Sequence, residues 1–168
     1  MNLPRFIDFE ASSLAPDSYP IEVAWSDGDG RFEAHLIDPS SVPAWIDWSD
    51  AAQAVHGIRR DTLLVEGRDP GWVCDRLSAD AGGQTLYSDA AEFDRAWLLE
   101  LFRGARRPRP SIEVASIEAL PELAELGDAT LVHLQQQARR LAGGQHRAGK
   151  DVMYLLHLFL LAREAGRA

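Results

Sequence analysis

Cysteine is almost missing from this sequence. Cys74 stands alone, which excludes an intrachain disulfide and a zinc cage of thiolates and makes a reducing cytoplasm the default expectation. Long apolar runs are missing too. The longest, VMYLLHLFLLA at 152–162, falls short of the roughly 20 residues needed to span a membrane. It reads as a buried helix, and no membrane partner is expected. No basic segment followed by an apolar one opens the chain, so a secretory signal is not expected. Lysine is nearly absent as well: of 17 basic residues only Lys150 is not arginine, against 26 acidic residues and a net charge of −9. Such an acidic balance lacks the basic footprint of a broad phosphate-binding surface. Arginine, however, is the better bidentate phosphate ligand, and divalent ions held by carboxylates would offset part of the charge. Net charge therefore leaves nucleic acid open as a partner.

What is present suits one ordinary globular domain. A chain of 168 residues, 46% of them hydrophobic, can bury about 68–70% of its unfolded surface. There are no repeats, low-complexity tracts or long linkers. Strands are expected at 3–10, 20–26 and 31–38, the last two joined by the turn DGDG at 27–30. Residues 42–58 read as a loop entering a helix that ends near Gly57, and Pro70 opens a helix over 70–81 closed by Gly82 and Gly83. A short strand at 85–90, a helix at 91–104 and a fifth strand at 111–117 follow. Helices are expected at 118–126, 128–142 and 147–165. A hairpin followed by strands alternating with helices predicts an α/β domain with a five-stranded mixed sheet flanked by helices. The last helix either packs internally or faces a second subunit in a homodimer. RRPRP at 106–110 reads as a solvated loop, and packing roles are expected for Trp25, Trp72 and Trp97.

The chemistry is carried by acidic residues. In FIDFEASSL at 6–14, Asp8 and Glu10 are two apart on a strand and project from one face. Two such carboxylates either sit on a solvated edge or repel each other until a cation lies between them. In SDAAEFDRAWL, Asp94 falls in the first turn of a helix, where the helix N-terminus alone suffices to explain it, and Asp89 could cap that helix. In HRAGKD, Asp151 again lies near a helix start. His146 precedes that helix, where an imidazole titrating near neutrality can act as a general base. Arg147 reads as a solvated helix start, and Arg139 with Arg140 as an exposed face of the preceding helix. Helix starts and strand ends of an α/β sheet converge in space, so the combination says more than any member of it.

The ordered set IDFEASSL, SDAAEFDRAWL and HRAGKD, with AVHGI at 54–58 between the first two, resembles the DEDDh 3′–5′ exonucleases of the ribonuclease H-like, DnaQ-type fold. The resemblance runs over nearly the whole chain, which would then be a single exonuclease catalytic domain, 1–168, acting as a free-standing enzyme. It implies that Asp8, Glu10, Asp94 and Asp151 ligate two divalent metal ions, Mg²⁺ or Mn²⁺, and that His146 takes a proton from the attacking water. It also implies a substrate site in which Leu14 presses on the terminal base and His56 and Ile58 line its pocket. Ala11 and Ser12 stand where many members carry other residues, and Asp89 stands near a common Asn, adding negative charge beside the substrate path. The ASSL stretch is where substrate choice is expected. The implied partner is the 3′ end of single-stranded RNA or DNA, with RNA and short oligonucleotides favoured. A non-catalytic binding module on the same fold is the alternative.

Overall fold

Side-chain alternation along the first strand decides the layout. The computed structural model describes residues 2–144 and 146–167. In β1 (Arg5–Ala11) the residues Ile7, Phe9 and Ala11 enter one hydrophobic core and Phe6 enters another. Asp8 and Glu10 share the Phe6 face by the two-residue period.

β1 pairs antiparallel with β2 (Pro20–Ser26), which continues into β3 (Phe32–Leu36). On its other side β1 pairs parallel with β4 (Thr85–Ser88), and β4 with β5 (Glu113–Ser116). The order β3-β2-β1-β4-β5 makes β1 the middle of a mixed five-stranded sheet.

Between β3 and β4 lie three helices: α1 (Asp50–His56), α2 (Arg60–Glu66) and α3 (Pro70–Ala81). The Ser49 hydroxyl accepts the Ala52 N–H to start α1, and Gly57 at φ 70° stops it in the left-handed region glycine tolerates. α2 was not expected from sequence: it has no capping side chain, and Leu63 is its one buried residue. α4 (Ala91–Gly104) joins β4 to β5, and α5 (Pro121–Ala124), α6 (Asp128–Ala142) and α7 (Ala148–Ala165) follow.

The helix expected over 118–126 is divided into a 3₁₀ turn, Ile117–Ala119, and the four-residue α5. Pro121 is the cause, because the residue before a proline is pushed out of the helical region. Leu120 is extended there, at ψ 131°.

One face of the sheet packs Ile7, Ile21 and Val23 against Val73 and Leu77 of α3 and Leu98 and Leu101 of α4. The other packs Phe6 and Ala24 against Leu134 of α6 and Val152, Leu155 and Phe159 of α7. Full burial of each such large side chain contributes about 1.5–3 kcal/mol. The final helix thus packs internally, which is why its sequence is nearly continuous in apolar residues. No helix among the described residues is long and apolar enough to cross a membrane.

Trp25, Trp45 and Trp97 are buried, in keeping with packing, but Trp72 is not. It stands at the start of α3, exposed, with the Arg68 guanidinium over its ring.

Candidate metal centre

Three segments bring acid to one place. β1 presents Asp8 and Glu10, and the first turn of α7, packed on the same sheet face, presents Asp151. A carboxylate oxygen from each lies within 4.8 Å of the other two. Asp8 and Asp151 are buried and Glu10 is half-buried. Oδ2 of Asp8 is buried with no hydrogen-bond partner.

Asp94 arrives from the opposite side. It lies in the first turn of α4, 1% exposed. Its Oδ1 accepts the Phe9 N–H of β1 at 3.1 Å, and its Oδ2 accepts the hydroxyl of Ser88. Both oxygens are thus engaged by protein donors, and Asp94 stands beside the converging trio rather than in it. Ser88 was not singled out by sequence; its hydroxyl also accepts the Ala90 N–H at 2.9 Å, so it joins the end of β4 to the start of α4.

The crowding is visible in the acidities. Burial first, then the charges of Asp94, Asp151 and Glu10, hold Asp8 well above the usual carboxylate range. Burial, with Asp151 and Glu22, pushes Glu10 up to about 8. Asp94 is pushed up to about 7 by burial, against the downward pull of its bonds from Ser88 and Phe9. Desolvated carboxylates this close ionise together only if a cation joins them. An orphaned oxygen on Asp8, three converging carboxylates and raised acidities fit a hard divalent ion with oxygen ligands.

His146 stands at the rim, its side chain 59% exposed, with Nδ1 3.7 Å from Asp151 Oδ2. Arg139 is exposed, as expected, yet it is also part of the acidic group. From the last turn of α6 it donates to Asp151 Oδ1, lies 3.7 Å from Asp89 Oδ2, and covers the Tyr154 ring. Arg147 is likewise no solvated helix start, because it pairs with the buried Glu22 of β2. Asp89 joins the acidic group through Arg139 and does not cap α4, whose N-cap is Ala90.

Beside Glu10 opens an apolar recess of about 160 Å³, walled by Phe9, Ala11, Leu14, Val55, His56 and Trp97 among others. Leu14 is largely exposed at its edge. His56 is buried, and its Nδ1 accepts the Ile58 N–H at 3.0 Å, which leaves the neutral ring's proton on Nε2 without a partner. Burial lowers its pKa, favouring that neutral form.

Of the expected substrate residues, Ala11, Leu14 and His56 meet in this recess. Ile58 is buried in the core and forms no part of the wall. Ser12 is fully buried: its hydroxyl donates to Asp47 Oδ2 at 2.7 Å and accepts the Tyr19 N–H. Ser13 bonds the same Asp47 oxygen at 2.7 Å. The two serines thus tie β1 to the loop before α1.

Neither a protein-family model nor a curated protein matches the sequence. Solved structures do. Exonuclease I from Methylocaldum szegediense superposes with a TM-score of 0.69 at 15% identity, over 95% of this chain and 40% of that one. E. coli exonuclease I in complex with a dT13 oligonucleotide gives 0.70 at 14%, over 99% and 42%. The zinc-bound E. coli exonuclease I–single-stranded DNA complex gives 0.64 at 14%, over 98% and 42%. The chain therefore spans about two-fifths of the length of the exonuclease I chains it matches. At this identity the likeness is one of fold: a five-stranded mixed sheet flanked by helices, of the ribonuclease H-like type.

Proposed function

We propose that this chain forms the catalytic domain of a metal-dependent 3′–5′ exonuclease of the DEDDh type, removing nucleoside 5′-monophosphates from single-stranded nucleic acid. The observation that carries this reading is the convergence of Asp8, Glu10 and Asp151 within 4.8 Å of one another on a buried sheet face.

Asp8, Glu10 and Asp151, with Asp94 beside them, are the residues that would hold two divalent ions, Mg²⁺ or Mn²⁺. Such ions supply Lewis acidity, lowering the pKa of a bound water and stabilising charge on the attacked phosphate and leaving oxygen. The chain's own groups do the rest. His146 is exposed at the rim, where its ring can take the proton of an attacking water, and Asp151 stands at 3.7 Å to stabilise the imidazolium that forms. The recess beside Glu10 suits a terminal nucleobase: Leu14 and Trp97 offer apolar surface, and the buried His56 ring closes one side. Ser12 supports this wall from behind, through Asp47, rather than touching substrate.

An acidic chain, net −9, holds long polyanions weakly, so short oligonucleotides are the favoured substrates. The sequence reading favours RNA, whereas the exonuclease I neighbours were solved with dT13 and single-stranded DNA, and the test includes both. Purified protein is incubated with Mg²⁺ or Mn²⁺ and 5′-labelled single-stranded RNA or DNA, beside Asp151→Ala. A ladder shortening from the 3′ end, lost in the variant, is expected. Internal cuts would instead mean an endonuclease. No metal-dependent product from either polymer would overturn the enzyme reading in favour of a binding module.

A further inference from the structure

Directly across the sheet from Glu10 stands a second glutamate. Glu22 of β2 is the antiparallel partner of Glu10, so the two side chains leave the same face. The Glu22 side chain is 4% exposed. Like charges directly opposite destabilise a sheet, and a buried carboxylate needs a charged, hydrogen-bonded partner.

That partner comes from the far end of the sequence. Arg147 Nε lies 2.9 and 3.1 Å from the two Glu22 oxygens, and its Nη2 lies 2.5 Å from Oε1. The Ala148 N–H donates to Oε2 at 3.0 Å. Arg147 is the N-cap of α7 and makes no side-chain cap of its own. Glu22 supplies the missing acceptor from the sheet, and its negative charge favours the positive end of the helix. The two residues it grips lie between His146 and Asp151.

We infer that Glu22 is a positioning residue for the candidate metal centre. Acting through Arg147 and the Ala148 amide, it fixes the first turn of α7 on the sheet. It thereby sets where Asp151 and His146 stand relative to Asp8 and Glu10. Arg147 in turn occupies both Glu22 oxygens, so that Glu22 does not compete with Glu10 for an ion. This inference rests on the proposed reading of Asp8, Glu10 and Asp151 as metal ligands.

The test is Mn²⁺ titration calorimetry on the full chain, with hydrogen exchange at the α7 first-turn amides. Glu22→Gln keeps the shape and one acceptor but removes the charge. It should weaken Mn²⁺ binding about 10- to 100-fold, the usual loss when a residue supporting a ligand is removed, and speed exchange at Ala148 and Asp151. Arg147→Lys keeps the charge but cannot engage both oxygens as a fork; it should give a smaller loss in the same direction. Unchanged Mn²⁺ affinity in Glu22→Gln, with a lowered melting temperature, would make the pair purely structural and overturn the inference. If Glu22→Gln does not fold, unchanged affinity in Arg147→Lys overturns it equally. A wild-type chain that binds no Mn²⁺ overturns the metal-centre reading itself, a separate failure.

Discussion

Arg139 Nη1 lies 2.5 Å from Asp151 Oδ1, with the guanidinium stacked 3.7 Å from the centre of the Tyr154 ring. One of the three converging carboxylates is therefore neutralised by a cation that the chain supplies itself. Arg139 also stands 3.7 Å from Asp89, a second carboxylate onto which it can shift while keeping an ion pair. An arginine and a divalent ion on the same oxygen compete.

Replacing Arg139 by Gln should therefore tighten Mn²⁺ binding and lower the melting temperature of the chelator-treated protein, because the acidic group loses its internal counter-charge. Calorimetry and thermal unfolding in EDTA check both halves. Weaker Mn²⁺ binding would mean instead that Arg139 orients Asp151 for the ion.

Asp8→Asn should separate activity from stability. Oδ2 of Asp8 is buried without a partner, and four other carboxylates, Asp94, Asp151, Glu10 and Asp89, act on this side chain, so removing its charge should raise the melting temperature in EDTA. Nuclease activity should fall by at least the roughly 100-fold upper range seen for supporting residues. A variant that is less stable in EDTA would count against the repulsion described here.

The raised carboxylates fix a pH dependence. Glu10 titrates at about 8 and Asp94 at about 7 in the folded chain, against unfolded values near 4. Groups with raised folded pKa bind protons more tightly when folded. Their contribution to stability is full below about pH 4 and is lost as pH rises through about 7–8. Melting in EDTA should accordingly show a loss of stability from these groups across that window. Stabilisation by Mn²⁺ should grow over the same range, since protons and ions compete for the same oxygens. Thermal melts with and without Mn²⁺ at pH 5 and pH 8 decide it, and an Mn²⁺ effect that shrinks with pH would contradict the assignment.

Gly104→Ala tests the fold away from the acidic group. A Cβ at Gly104 would fall 2.4 Å from Cζ2 of Trp45. That ring is held by stacking on Tyr19, with centroids 5.3 Å apart, and by its Nε1–H to Glu100 at 2.6 Å. Overpacking of this kind costs about 1–3 kcal/mol. Denaturant unfolding should show the loss while Mn²⁺ affinity stays at the wild-type level, and an undiminished stability would show that the ring can yield.

The parts of the molecule written in local sequence were legible. The period of two in β1 placed Asp8 and Glu10 on one face, and turn and cap residues located the β2–β3 hairpin, α1 and α3. The helix starts that carry Asp94 and Asp151 followed from the same signals. What stayed hidden depends on register between distant segments. Nothing near Glu22 announces that Arg147, 125 residues away, will close on it. Nothing in ASSL says that both of its serines bond Asp47, with Ser12 fully buried. Arg139 looked like one of two adjacent solvated arginines because helical periodicity cannot say that its last turn abuts Asp151. The helix expected over 118–126 came out divided because a single proline, Pro121, outweighed an otherwise helical composition.

Packing α7 against β1 has a consequence in time. The ribosome makes Asp8 and Glu10 first, and Asp151 only after every strand of the sheet and α6. Until α7 is made, the sheet face that carries Asp8 and Glu10 lacks both its apolar cover and the third carboxylate of the trio. Synthesis itself thus delays the proposed nuclease chemistry, and a product cut short before α7 would lack Asp151 and half of the core on that sheet face.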